Sequence, residues 1–140
     1  MKKGENPLAM LKTKGSIAEL IMAAKVMSLG WNIYFPYGEN SRCDFVAAKD
    51  GKFIRVQVKS SKPKRGALTV QCRSCNNWSM KSYTSKDIDC MAIYDSINQN
   101  AYFMPVSKIN KTAVNLRLEP SKNNQRKRIQ YAHDFVNFPF

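Results

Sequence analysis

The chain has 140 residues, the size of one ordinary domain, long enough to bury a hydrophobic core and too short for two independent ones. Lys and Arg number 23 against 10 Asp and Glu, a formal charge of +13, which points to a polyanionic partner because cationic side chains gain affinity by releasing counterions from phosphate backbones. No run of about 18 apolar residues occurs, and the opening Met1-Lys2-Lys3-Gly4-Glu5-Asn6-Pro7 lacks the apolar stretch of a signal peptide, so a soluble, cytoplasmic protein without a membrane partner is expected.

The first predicted element is a helix from about Gly15 to Leu29, with Ile17, Leu20, Ile21, Ala24 and Met27 or Ser28 as its apolar face and Gly30 as its stop. Trp31-Asn32-Ile33-Tyr34-Phe35 reads as a short strand ended by Pro36 and Gly38. Cys43 to Ala48 and Lys52 to Ser60 are two β-rich runs joined by Asp50-Gly51, a strong hairpin signal because both turn positions must tolerate positive φ. A basic loop over Ser61 to Gly66 leads to a strand at Ala67 to Cys72, then a polar stretch through Lys86. Strands follow at Ile88 to Tyr94 and Asn100 to Pro105 around a turn at Ser96 to Gln99, then a short helix near Val106 to Asn110 and a strand at Thr112 to Leu118. Ser121 to Arg128 is polar and strongly basic.

Four cysteines raise the question of metal or disulfide chemistry. Cys72-x-x-Cys75 has the spacing of half a zinc site, but no second close pair accompanies it. Cys43 and Cys90 lie in apolar runs, where a thiol behaves as a small hydrophobe, so reduced cysteines are expected.

The chemistry resides in the hairpin. A two-residue turn at Asp50-Gly51 sets Lys49 opposite Lys52, Ala47 opposite Ile54 and Asp44 opposite Gln57. Lys59 projects from the same face as Gln57, while Phe45, Ala47, Ile54, Val56 and Val58 form the opposite, apolar face. A carboxylate and an amide oxygen are hard ligands suited to Mg²⁺, the Val58 carbonyl is a further oxygen donor, and a neighbouring ammonium can stabilise charge developing at a phosphorus centre.

Asp44-Phe45-Val46 before a turn, then Val56-Gln57-Val58-Lys59-Ser60-Ser61, resembles the core of the PD-(D/E)XK nuclease superfamily. The upstream segment Lys14 to Leu20 is similar too, since many members place a glutamate, here Glu19, beside the metal site. Two departures stand out: Cys43 replaces a semi-optional proline, and Gln57 replaces the second acid, which removes a negative charge and weakens the metal site or shifts that duty to Glu19. A Gln-x-Lys variant belongs to the branch that includes group I intron homing endonucleases, and the similarity extends through Phe35 to Asn40 and Leu116 to Gln125, roughly residues 12 to 126.

The resemblance implies an α/β, restriction-endonuclease-like core with a central mixed sheet flanked by helices. It implies a single nuclease domain, with its core at about 12–120 and a basic C-terminal extension at about 121–140. Glu19, Asp44, Gln57 and Lys59 are the candidate catalytic residues, and Asp44, Val58, Glu19 and Gln57 the candidate ligands of Mg²⁺, with Mn²⁺ as a substitute. The implied activity is site-specific double-strand cleavage of DNA by a homodimer or homotetramer. A Holliday-junction resolvase and a non-catalytic DNA-binding module of the same fold stay open as alternatives.

Glu19 has a plainer reading, since Ser16-Ile17-Ala18-Glu19 also fits a capping box at a helix start. Lys14, Lys62, Lys64, Arg65, Arg73 and Lys81 are the candidate DNA contacts, with Asn76, Asn77 and Trp78 able to reach bases or phosphates. Lys122 to Arg128 is either a flexible basic tail or a further phosphate contact.

Overall fold

A computed structural model describes residues 4, 6–76, 78–121, 123 and 129–140. The helix α1 spans Pro7–Ser28 and starts two turns before the expected Gly15. Asn6 is its N-cap, with Oδ1 accepting the Leu8 N–H at 3.0 Å, and Pro7 fits the first turn because it has no N–H to leave unpaired. Gly15 is tolerated inside the helix, and Gly30, at φ 95°, follows its end.

The face of α1 that meets the sheet differs from the expected one. Ala18, Met22, Ala23 and Val26 are buried, whereas Ile17, Leu20 and Met27 are 50%, 60% and 55% exposed. The helix carries apolar residues on two opposite sides, so helical periodicity fits both stripes equally. The stripe with small Ala18 and Ala23 is the one against the sheet.

The strands follow in chain order: β1 (Asn32–Tyr34), β2 (Phe45–Lys49), β3 (Lys52–Ser61), β4 (Ala67–Gln71), β5 (Arg73–Asn76), β6 (Ser79–Ser82), β7 (Cys90–Asp95), β8 (Asn100–Pro105), β9 (Ala113–Arg117) and β10 (Gln130–Tyr131). A five-stranded sheet runs β1-β2-β3-β7-β8, and it is mixed because β3 and β7 are parallel while its other pairs are antiparallel. The β2–β3 hairpin turns at Asp50 (φ 50°) and Gly51 (φ 78°), in the register read from the sequence: Lys49 pairs Lys52 and Ala47 pairs Ile54. β7 is buried at all six positions, as a central parallel strand covered on both faces should be.

One face of this sheet presents Phe45, Ala47, Ile54, Val56 and Val58 to α1. The opposite face is covered by a second sheet, β10-β9-β4, where flanking helices were expected. There Met91, Ile93 and Met104 pack on Leu68, Val70 and Leu116. The strand pattern at Ala67 to Cys72 and Thr112 to Leu118 supplied two of the three strands of that cover; β10 and the layer they form were unforeseen.

Two further differences concern the polar segments. The stretch after Cys72 contains the hairpin β5–β6, hidden in the sequence by its polar residues, and the segment after β8 is a 3-10 turn at Val106–Lys108. The expected extension over 121–140 returns to the body of the protein: β10 pairs with β9, and the Phe138 ring lies 5.2 Å from Trp31 and 5.4 Å from Phe103. The basic run Lys122 to Arg128, Asn123 apart, lies outside the described residues. Among the described residues, no helix is long and apolar enough to cross a membrane.

Candidate active site

The ladder between β2 and β3 breaks where Asp44 begins. Phe45 pairs with Val56, yet the Asp44 N–H also reaches the Val56 carbonyl, at 2.8 Å, so two successive residues address one partner. This local bulge turns Asp44 out of the ladder, and its Oδ2 accepts the Val58 N–H at 2.7 Å. The expected direct pairing of Asp44 with Gln57 is therefore displaced, and the carboxylate instead sits against the backbone of β3.

Gln57 and Lys59 project from one face of β3, both half-buried, in register with Met91 and Ile93 of β7. The Gln57 amide nitrogen donates to the Val58 carbonyl at 3.3 Å. Lys59 is close enough to Asp44 for their charges to interact, and burial, the larger effect, holds its ammonium below the usual lysine range. Its Nζ lies 5.5 Å from the centre of the Tyr83 ring.

Glu19 reaches the same place from α1. Because that helix is capped at Asn6, Ser16 lies in its interior, and the capping-box reading of Ser16 and Glu19 is corrected: no helix starts there. Glu19 instead shares a hydrogen bond with Asp44. Burial first, then repulsion from Asp44, raises the Glu19 carboxyl to about 7. Burial also raises Asp44, opposed by the Val58 N–H, Glu19 and Lys59.

Two carboxyl groups crowded in this way favour either a shared proton or a cation between them. Among the described residues no three His, Cys, Asp or Glu side chains gather as ligands; the oxygens that could face a cation between the two carboxyls are their own, with the Val58 carbonyl and the Gln57 amide next along β3. Such a set suits a hard divalent ion that keeps several waters.

Two contributors at the edge of this site were not found from the sequence. The Arg42 guanidinium stacks 4.4 Å from the centre of the Tyr83 ring and donates to Ser74 Oγ (3.2 Å) and the Lys81 carbonyl (3.0 Å). Arg42 and Tyr83 thereby tie the β5–β6 hairpin to the ground beneath Lys59. No local signal links positions this far apart in the chain. Cys72 is buried beside them, its thiol pushed up chiefly by burial, whereas Cys75 is exposed on β5.

The candidate DNA contacts fall into separate groups. Lys14 and Lys62 line one groove of about 660 Å³ with Ser60 and Ser61, at the end of β3 that follows Lys59. Arg73 and Lys81 sit on the β5–β6 hairpin, whose tip residue Trp78 is fully exposed. Lys64 and Arg65 form the tight turn before β4, where Arg65 has φ 52° and its carbonyl accepts from Arg117. Arg65 lies with Arg117 and Glu119 in a different depression from Lys14 and Lys62. Asn77 lies outside the described residues.

An acid and an x-lysine pair on adjacent strands of a mixed sheet, joined by a glutamate from the packed helix, define a restriction-endonuclease-like nuclease fold. The chain belongs to the PD-(D/E)XK endonuclease family, whose model matches residues 10–138. It is 31% identical over 83 residues to Protein 5.3 of Escherichia phage T7, a match covering 56% of this chain and 68% of that protein. It is also similar to the solved structure of a bacterial homing endonuclease, I-Ssp6803I, with a TM-score of 0.71 and 26% identity over 89% of this chain and 86% of the other. The family resemblance read from Asp44 to Ser61 holds.

Proposed function

We propose that this nuclease is a Mg²⁺-dependent endonuclease that cleaves double-stranded DNA at specific sites as a homo-oligomer, and that Glu19, Asp44, Gln57 and Lys59 form its catalytic centre. The observation that carries this reading is the meeting of Glu19, on α1, with Asp44, just ahead of β2 and bonded to the Val58 N–H, with Lys59 alongside. Asp44, Glu19, Gln57 and the Val58 carbonyl would hold the ion, with Mn²⁺ able to substitute. When bound, it supplies Lewis-acid chemistry at the phosphate and activates water.

The chain's own residues do the rest. Lys59 stabilises the negative charge gathered at phosphorus and orients the attacking water. Lys14 and Lys62 hold a flanking phosphate in their shared groove, and Lys64, Arg65, Arg73 and Lys81 contact the backbone elsewhere. Gln57 contributes an oxygen without a second permanent charge, so more of the electrostatic work falls to Glu19.

The test is cleavage of random plasmid DNA with Mg²⁺ and with chelator, followed by sequencing of the ends. Metal-dependent cuts at one recurrent sequence are expected. Random nicking would overturn the site-specific reading, cleavage of cruciforms in preference to linear duplex would assign a junction resolvase instead, and binding without cleavage would leave a non-catalytic module.

A further inference from the structure

The outer side of α1 carries Met10, Thr13, Ile17, Leu20, Ala24 and Met27, separated by three and four residues in alternation. That is a heptad seam, the spacing with which one helix packs along another. Among the described residues no other element covers it: Ile17, Leu20 and Met27 are about half exposed or more, Thr13 and Ala24 are exposed, and the sheet is met by the opposite stripe. Thr13 donates its hydroxyl to the Ala9 carbonyl within the helix, at 2.9 Å, so its polar group is already satisfied.

We propose that this stripe is the contact surface for a second copy of the chain, with the two α1 helices antiparallel about a two-fold axis at their middle. The order of side chains selects this occupant. Reversed upon itself, the seam sets Met10 against Met27, Thr13 against Ala24 and Ile17 against Leu20, so that large meets large and small meets small in each layer. A two-fold contact needs a surface complementary to itself in this way, and an unrelated helix has no reason to meet a palindromic one.

Charge leads to the same occupant. None of the six residues is ionisable in a chain of formal charge +13, so the stripe itself is a place where two strongly cationic copies can touch without opposing charges, although Ile17 at its edge also lines the Lys14–Lys62 groove. The seam runs on the order of 25 Å along the helix. The contact specifies the partner in the proposed homo-oligomer but is independent of the catalytic assignment, because it is measured on the protein alone.

Molecular mass is measured by sedimentation equilibrium without DNA, for the full chain and for Ile17→Asp and Leu20→Lys, each checked for folding by circular dichroism. The wild type is expected at a multiple of 16.0 kDa, each variant at a lower mass, and an equal mixture of the two variants back at a paired mass. Recovery is specific to the antiparallel register, since only there does the aspartate introduced in one copy oppose the lysine introduced in the other. A monomeric wild type, variants that keep the wild-type mass, or a mixture that stays dissociated would each overturn the proposal. Loss of mass in the variants and its recovery on mixing would stand even if the protein cleaved no DNA.

Discussion

Gln57 stands where a centre built on two sheet-borne acids has its second acid, and in the proposed centre Glu19 takes up the difference. Its carboxyl is raised to about 7, so it is protonated in both folded and unfolded chains below the ordinary glutamate range, and above about 7 the folded protein holds it ionised at a cost. Stability of the metal-free protein is therefore expected to fall as pH rises from about 4.5 to about 7, the window between the two values. Glu19→Gln should flatten that fall and, once solvent screening of a partly exposed group is discounted, stabilise the protein at pH 8 by on the order of 1 kcal/mol, as read by urea denaturation with chelator. An unchanged pH profile in the variant would separate Glu19 from the carboxyl pair. The register from Phe45 and Val56 to the turn was legible because Asp50-Gly51 fixes it, whereas the bulge that displaces Asp44 from Gln57 lies one residue beyond that ladder and left no mark in the sequence pattern. Arg42 and Tyr83 were not legible either, because their contact joins positions whose only link is the folded chain.

Among the elements, β3 does most of the positioning, since it pairs with β2 on one side and β7 on the other. Its parallel partner is anchored by Asp89, which accepts the Arg55 N–H (2.9 Å) and Nε (3.0 Å) at Oδ2 and Nη2 (3.0 Å) at Oδ1, while Arg55 also reaches the Lys86 and Ser85 carbonyls. The arginine holds the Asp89 carboxyl below its usual range. Asp89→Ala should lower stability by about 1–2 kcal/mol in chemical denaturation, as loss of a bidentate, charge-assisted pair leaves Arg55 donors unmatched at the surface. Loss of less than a few tenths would show that β3 and β7 need no such anchor. Strands with clear apolar runs were readable from the sequence nearly residue for residue. The start of α1 was not, because Asn6-Pro7 lies ahead of a glycine that reads as a boundary, and β5–β6 was missed because a polar hairpin has no apolar face to reveal it.

At the scale of the molecule, the chain closes on itself: Phe138 returns to Trp31 and Phe103 on the α1 side of the sheet, while β10 completes the cover of the other. A composition-based reading sees only the basic run before this segment and extends it to the end. Phe138→Ala should cost about 2 kcal/mol, visible as a lower thermal midpoint, because the edge-to-face contacts are lost and a partly filled space is left beside Trp31. The proposed function rests on Asp44 and Lys59 performing metal-assisted phosphodiester cleavage. Single-turnover cleavage of a DNA fragment containing the recognised site, compared with binding of the same fragment, measures it most directly. Asp44→Ala and Lys59→Ala should each slow cleavage by about 100-fold or more while DNA affinity and folding stay close to wild type. Undiminished cleavage by either variant would contradict it.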